Sequence, residues 1–251
     1  MPSLLRRSTL ALLILVPGFA QMAPTQAAPR KYLAATSHYL KAEGVPLFAL
    51  PAPPQIGTLA ADADLETVLQ VQDWRTAAQV AWADRIDHLD AFDAAAVLGP
   101  WFNRKQLPRC AQLLEEALGD GEAVNYVAKL RFKRLRPPIQ DPRVQPCTPV
   151  QRPTSATPSA SFYSYPSGHA TSIYLMAEIL GELVPARQAE VQAWAHKAAW
   201  SRIVAGVHFP SDDLGGHILA GIIVQSLKAN PAFVAALEDC REEVRAVQTA
   251  R

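Results

Sequence analysis

The chain has 251 residues, of which 49% are hydrophobic and 19% are charged. That is enough apolar material for one sizeable core and fits one domain better than two. Its formal net charge of +1 argues against a general nucleic-acid or anionic-membrane surface, so any affinity for anions must be local. Alternating runs of β-branched residues are nearly absent, and we therefore expect an all-α fold, a single compact helical domain.

The N-terminus has the layout of a secretory signal peptide. Arg6 and Arg7 precede an apolar core at 10–16, and small residues follow it. That core is too short to span a bilayer, and Pro17 breaks it, which disfavours the alternative of an uncleaved anchor. We expect cleavage after Ala27, with Gly18 and Ala20 offering a second site upstream, and a periplasmic or secreted protein. The predicted division is a signal peptide at 1–27 and a folded domain at 28–251.

The next segments alternate between helical patterns and stretches rich in proline. Residues 28–45 suit an arm or short helix, and the prolines that follow suit an extended segment. Helical periodicity covers 61–87, with Asp62 or Asp64 available as a cap. We predict further helices at 88–104 and 107–118, the latter closed by the Gly-Asp-Gly of 119–121, and another that ends against Pro137 and Pro138.

Seven prolines between Pro137 and Pro158 exclude a regular helix or strand in that segment. A loop of this length is either an active-site cover or a surface tether, and the sequence leaves both readings open. The rest of the chain reads as helices, which we predict at 167–183, 186–205, 211–228 and 231–246.

Three cysteines are present, at positions 110, 147 and 240. After export, one disulfide and one remaining thiol are expected, but the sequence does not say which two residues pair. Their spacing lacks the close ligand pairs of a zinc site. We assign them no catalytic role.

Three clusters of polar residues follow one another along the chain. In the first, KLRFKRLRP, Lys129 and Arg136 are seven residues apart, which places both cations on one helix face. The second, SYPSGHATS, places His169 at the start of an apolar helix, where unpaired amides and the helix dipole suit an anion. Taken singly, each has an ordinary explanation as a solvated helix end or a cap.

The third cluster is SRIVAGVHFPSD, in which Pro210 and Ser211 mark a helix start. His208 therefore lies just outside that helix, and Asp212 in the first turn can reach back to the imidazole. A carboxylate bound to one ring nitrogen fixes the tautomer and leaves the other nitrogen available as a nucleophile or ligand. Three anion-friendly sites in one chain are hard to explain as coincidence.

The three spacings together resemble the signature of the phosphatidic acid phosphatase type 2 superfamily. They match at every signature position, and within that superfamily the chain looks most like the bacterial class A non-specific acid phosphatases. LPAPPQ near residue 50 and QDWRT at 72–76 support this resemblance. It implies an all-α fold with the active site at helix N-termini.

The resemblance also implies a role for each signature residue in the metal-independent hydrolysis of phosphate monoesters. His208 would attack phosphorus to form a phosphohistidine, Asp212 would orient and charge its ring, and His169 would protonate the leaving alcohol and then activate water. The phosphate oxygens would be bound by five further residues, through side chains and the amides of the turn: Lys129, Arg136, Ser167, Gly168 and Arg202.

No cofactor or metal is implied, and we expect small phosphoesters and inorganic phosphate as ligands. We expect neither a nucleic-acid binding surface nor a stable membrane span, and the sequence leaves open whether the protein forms a homo-oligomer.

Two other activities use the same site in this superfamily: vanadium-dependent haloperoxidase and lipid-phosphate phosphatase. Haloperoxidases are generally much longer, and the chain shows no spanning helices, which favours the phosphate monoesterase. His38, His88, His196 and His217 lack signature context and are expected to be structural or exposed.

Overall fold

The computed structural model describes residues 37–150 and 160–250, so the predicted signal peptide lies outside the described residues. Within them the fold is all-α, as predicted, and an isolated bridge between Leu135 and Tyr163 is the only β pairing in that part of the chain. The α-helices are α1 (Leu59–Trp74), α2 (Ala77–Asp87), α3 (Ala95–Leu98), α4 (Pro108–Phe132), α5 (Pro137–Gln140), α6 (Gly168–Leu183), α7 (Gln188–Val204), α8 (Pro210–Lys228) and α9 (Pro231–Thr249). Short 3₁₀ turns lie at Ala42–Gly44, Leu47–Ala49, Ala91–Ala94, Ala160–Phe162 and Pro185–Arg187.

Helix α6 forms the centre of the core. It packs on α4, α7 and α8, and most of its residues are buried. A helix that is apolar on nearly all sides is stable only when other helices cover it, which explains its central position. The four helices predicted after the proline-rich segment are confirmed, with ends that differ by at most three residues.

Two glycines let α8 approach α6 closely at the end where both helices begin. A Cβ on Gly216 would lie 2.7 Å from the Cβ of Ala170 and 2.9 Å from the carbonyl oxygen of Ser167. A Cβ on Gly215 would lie 2.3 Å from the ring of Tyr165. Because real Cβ atoms do not approach other atoms so closely, these positions require glycine.

The expectation of two helices between 107 and Pro137 is wrong. A single helix, α4, runs through the Gly-Asp-Gly, where Asp120 is buried and accepts hydrogen bonds from three successive backbone amides, those of His38, Tyr39 and Leu40. Gly121 faces α6, since a Cβ there would lie 2.7 Å from Leu175. Asp120 and Gly121 thus serve tertiary contacts, and the helix continues through all three residues.

The caps predicted for the first helical region are also wrong. Thr58 caps α1 and Thr76 caps α2, with Arg75 between the two helices. Asp64 instead lies in the second turn of α1, buried against other helices. The helix expected at 88–104 is reduced to the short turn α3 and the 3₁₀ turn before it, because Gly99 ends it with a positive φ of 99°.

Pro137 and Pro138 begin one helical turn, α5, which corrects the expectation that no helix forms in the proline-rich segment. Proline is well suited to the first position of a helix, because the amide it lacks has no partner there.

Cys110 and Cys240 form a disulfide that joins α4 to α9, and Cys147 is a partly exposed free thiol. Among the described residues no single helix is long and apolar enough to cross a membrane; the bent pair of α8 and α9 meets that test by length and composition alone.

Candidate active site

One cavity collects residues from all three sequence clusters. Five of the predicted site residues line it: Lys129, Arg136, Gly168, His169 and His208. Its other lining residues include Glu122, Asn125, Tyr126 and Ser172. The remaining predicted residues, Ser167, Arg202 and Asp212, are buried and lie around the lining groups.

His208 lines this cavity, and the residue is almost completely buried. Nη1 of Arg136 lies 3.0 Å from its Nε2. Because a guanidinium can only donate, Nε2 must be the acceptor and therefore carries a lone pair rather than a proton. Burial lowers the pKa of His208 well below its usual range, and the charges of Arg136, Lys129 and Arg202 lower it further.

Asp212 has the position that the sequence predicts, one turn beyond His208. Its Oδ2 lies 3.4 Å from Nδ1 of His208 and accepts a hydrogen bond of 2.8 Å from the amide of Phe209. The hydroxyl of Ser164 also donates to Oδ2. The other oxygen, Oδ1, accepts a hydrogen bond of 2.8 Å from Arg134. Asp212 is thus held from four directions, and His208 is only one of them.

Lys129 and Arg136 do reach the same cavity, but not as two residues on one helix face. Helix α4 ends at Phe132, and Lys133 then takes a left-handed conformation with a φ of 51°. Arg136 lies beyond that turn, just before α5. Lys129 is buried and donates to the carbonyl of Tyr163, and burial lowers the pKa of its ammonium group well below the usual value.

The turn at the start of α6 differs in detail from the predicted phosphate cradle. Ser167 caps α6, and its amide donates to the carbonyl of Asp212, so that amide is engaged within the protein. Gly168 is the first residue of α6, where amides have no acceptor within the helix. The prediction that both amides face the phosphate is wrong for Ser167.

Asp87, at the end of α2, connects two of the predicted residues. Its Oδ1 accepts a hydrogen bond of 2.7 Å from Nη2 of Arg202 and lies 3.6 Å from Nε2 of His169. Nη1 of Arg202 donates to the carbonyl of Ala83, also on α2. Asp87 was not predicted as a site residue, since nothing in the local sequence links α2 to the second and third clusters.

Four more residues around the site were missed. Asn125 is buried beside Gly168, and its amide nitrogen donates to Thr171 and to the carbonyl of Pro166, which supports the turn before His169. The other three, Ser164, Arg134 and Asp64, form a buried network with Asp212. Arg134 lies within the first motif, KLRFKRLRP, and Ser164 begins the second, SYPSGHATS. Their place inside these motifs is the sequence feature that could have indicated them.

A second cluster lies outside this cavity, around Tyr174. The ring of His217 stacks on Tyr174 at 4.1 Å, and Nδ1 of His196 lies 3.0 Å from the Tyr174 hydroxyl. That hydroxyl also donates to Asp213 over 3.4 Å. Burial raises the pKa of Asp213 to about 6, in part with help from neighbouring Asp212. The expectation that His217 and His196 stand apart from the signature site agrees with the lining of the cavity.

Over the described ranges, no group of three or more His, Cys, Asp or Glu residues is arranged to hold a metal ion. Lys129 and Arg136 bring two cationic side chains to the cavity beside the buried imidazole of His208. Such a set of groups suits a tetrahedral oxyanion, with one imidazole available as a nucleophile and a second as a proton donor.

Comparison with known proteins points in the same direction. The family model of the PAP2 superfamily matches residues 114–231, which include every predicted site residue. An acid phosphatase of Zymomonas mobilis subsp. mobilis is 31% identical over 209 residues, covering 81% of this chain and 77% of that protein. A non-specific acid phosphatase of Providencia stuartii is 26% identical over 202 residues, covering 78% and 79% of the two chains.

A solved structure also aligns with part of this chain. It is the transmembrane PAP2 type phosphatidylglycerolphosphate phosphatase from Bacillus subtilis, which aligns with a TM-score of 0.47 at 23% sequence identity. The alignment covers 75% of this chain and 94% of that one.

Proposed function

The chain belongs to the PAP2 superfamily and is a PAP2-type phosphatase, and on that premise we propose that it hydrolyses small phosphate monoesters through a phosphohistidine on His208. The observation that carries this proposal is the contact between Arg136 and Nε2 of His208. The contact gives Nε2 a lone pair, which a nucleophile needs, and places it beside a guanidinium that could bind a phosphate oxygen. The names of the relatives, acid phosphatase and non-specific acid phosphatase, support the substrate class.

In the first step, Nε2 of His208 forms a bond to phosphorus while the bond from phosphorus to the ester oxygen breaks. His169 gives its proton to that oxygen, and the alcohol leaves. In the second step, water attacks phosphorus, the bond between phosphorus and nitrogen breaks, and His169 takes a proton from the water. Inorganic phosphate is released and both imidazoles return to their starting states.

We assign the phosphate oxygens to Lys129, Arg136 and Arg202, with the hydroxyl of Ser167 and the amide of Gly168. Three cations around one phosphoryl group can supply the positive charge that phosphoryl transfer requires. Because these side chains supply it, we propose that catalysis is metal-independent and that EDTA leaves kcat/KM unchanged.

The test is to trap the phosphoenzyme by rapid quench into an alkaline denaturant, because the phosphorus–nitrogen bond of phosphohistidine hydrolyses in acid, and to locate it by mass spectrometry. His208→Ala should lose activity by a factor on the order of 10⁴ or more and form no phosphoenzyme. His169→Ala should accumulate phosphoenzyme with an aryl phosphate, which needs little leaving-group protonation, but not with an alkyl phosphate. His88→Ala, at an exposed histidine, is the matched control. Substantial activity in His208→Ala would refute the proposal.

The same preparation distinguishes the two other activities of the superfamily. Peroxide-dependent halide oxidation with added vanadate would indicate a haloperoxidase. A lipid phosphate in detergent, hydrolysed much faster than small monoesters, would indicate a lipid-phosphate phosphatase.

We further propose that the protein is exported and acts in the periplasm or outside the cell. The signal-like N-terminus and the Cys110–Cys240 disulfide support this, because structural disulfides are typical of oxidising compartments. Fractionation of the producing cells and mass determination of the mature N-terminus test it, with a first residue near 28 as the expected result.

A further inference from the structure

Arg134 is a buried arginine that lies outside the superfamily signature and yet contacts the carboxylate behind His208. Its Nη1 donates to Oδ1 of Asp212 over 2.8 Å, and its Nη2 donates to Oδ2 of Asp64 over 2.7 Å. Its guanidinium also lies 4.1 Å from the ring centroid of Phe209. All three charged side chains are at most 7% exposed, so water does little to screen them.

This arrangement bears on the protonation state of the nucleophile. A carboxylate within about 4 Å of a histidine ordinarily stabilises the imidazolium and raises its pKa. A protonated His208 could not attack phosphorus. Yet Nε2 of His208 accepts a hydrogen bond from Arg136 and must be unprotonated, although Asp212 lies 3.4 Å from Nδ1. Burial and the charges of Arg136, Lys129 and Arg202 favour the unprotonated ring, and the cation in direct contact with Asp212 itself is Arg134.

We propose that Arg134, which bridges Asp212 and Asp64, is a positioning residue that neutralises Asp212 and thereby keeps His208 unprotonated and nucleophilic in acid. Asp212 then acts mainly through geometry: its Oδ1 is fixed by Arg134 and its Oδ2 by the amide of Phe209, so it orients the imidazole without charging it. This inference rests on the proposed function of His208 as the nucleophile.

The cations near His208 act in the same direction. Lys129, Arg136 and Arg202 all lower the pKa of His208, from α4, the start of α5 and α7 respectively. Two further titratable groups line the same cavity, Glu122 on α4 and His169 on α6, and on α2 the carboxylate of Asp87 is engaged by Arg202. A backbone hydrogen bond of Ser164 opposes these effects by raising the pKa of His208. Asp212 is the nearest anion to the ring among the described contacts, and Arg134 is the cation that engages it.

The test is the pH dependence of kcat/KM and of the single-turnover rate of phosphoenzyme formation. In Arg134→Gln, Asp212 keeps its charge and loses its cation, so His208 should protonate more easily. The acid limb of both profiles should move to higher pH by about one unit or more, with activity partly recovered on the alkaline side. Arg134→Lys keeps the positive charge but cannot bind both carboxylates at once. The acid limb of its pH profiles should therefore move less than that of Arg134→Gln.

Asp64→Asn provides a test of opposite sign. It removes an anion that competes with Asp212 for Arg134, so the acid limb should stay in place or move to lower pH even if the variant is less stable. A purely structural role for the pair would instead predict similar damage in both variants. Arg131→Gln, which removes an exposed cation at the end of α4, is the matched control and should leave the limb in place.

If Arg134→Gln does not fold, the double variant Arg134→Gln with Asp64→Asn can replace it. This variant leaves only the carboxylate of Asp212 without its arginine, and its acid limb should also move to higher pH. The proposal is overturned if kcat falls in an Arg134 variant with no movement of the acid limb, or if Asp64→Asn moves it upward as far. The proposed function is tested separately, because the wild-type protein either forms a phosphoenzyme on His208 or does not.

Discussion

Asp87 and Arg202 form an ion pair in which Oδ1 of the carboxylate lies 2.7 Å from the guanidinium, and the same oxygen lies 3.6 Å from Nε2 of His169. Arg202 is buried, and Asp87 is partly exposed. One side chain on α2 thus orients a phosphate-binding candidate and the candidate proton donor together. This relationship suggests that α2, which lies outside the region matched by the family model, contributes to the site.

Asp87→Asn should therefore lower kcat/KM by about 10- to 100-fold, the usual cost of losing a group that orients a catalytic residue. Because a carboxylate favours the protonated form of a nearby imidazole, its loss should also move the alkaline limb of the pH–rate profile to lower pH. Asp84→Asn, at an exposed position on the same helix, is the control. An unchanged alkaline limb would show that Asp87 acts on Arg202 alone.

Gly216→Ala should separate the starts of α6 and α8. The added Cβ would meet two backbone atoms, the Ser167 oxygen at 2.9 Å and the Thr171 nitrogen at 3.0 Å, which cannot rotate away as a side chain can. We expect a loss of about 1–3 kcal/mol in the free energy of unfolding and a fall in kcat of about 100-fold, the effect of a displacement near 1 Å.

Gly221→Ala is the matched control on the same helix, because its Cβ would meet nothing within 4 Å. Helix propensity alone should then stabilise the protein by up to about 1 kcal/mol. Urea unfolding and steady-state kinetics on both variants check the pair. Normal activity in Gly216→Ala would contradict the packing argument.

Asp213→Asn should change the pH dependence of stability. Burial raises the pKa of this carboxyl to about 6 from 3.8, so the folded state binds a proton more tightly than the unfolded state. Stability therefore falls as pH rises through that window, and the substitution should remove this loss. We expect the variant to be more stable than wild type by up to about 3 kcal/mol at pH 7.5, with the difference shrinking toward pH 4.

Thermal unfolding between pH 4 and pH 8 measures this difference. Asp239→Asn, at an exposed position on α9, controls for the change in net charge. A constant difference in Tm at all pH values would show that the proton on Asp213 has no part in stability.

Reduction of the disulfide should destabilise the protein without altering the site directly. Cys110 and Cys240 are separated by 130 positions, and closing so large a loop restricts the unfolded chain. Replacing both cysteines with alanine should lower the free energy of unfolding by about 2–5 kcal/mol, with kcat unchanged at temperatures well below Tm. Cys147→Ala is the control, and an equal loss of stability in it would argue against the disulfide as the cause.

The sequence was informative wherever a function depends on a fixed local spacing. His169, His208 and Asp212 were found from helix starts and motif spacing, and the structure places both imidazoles in the lining of one cavity, with Asp212 one turn beyond His208. It was uninformative about contacts between residues that are far apart in the chain. Arg134 and Asp64 are 70 positions apart, and no local rule links them.

The predictions that were wrong also failed at contacts that no local pattern describes. The Gly-Asp-Gly of α4 reads as a helix end because Asp120 and its glycines are poor helix formers. Its tertiary contacts outweigh that propensity. Arg136 reaches the cavity around a left-handed residue, Lys133, whereas helix periodicity alone placed it on the face of Lys129.

The disulfide also has a topological consequence. The covalent ring closed by Cys110 and Cys240 encloses the whole of 114–231, the region that the family model matches. A single backbone cut anywhere within the ring therefore cannot release a fragment. Nicked protein should migrate as one band on a non-reducing gel and as two after reduction, with the phosphohistidine label on whichever piece carries His208.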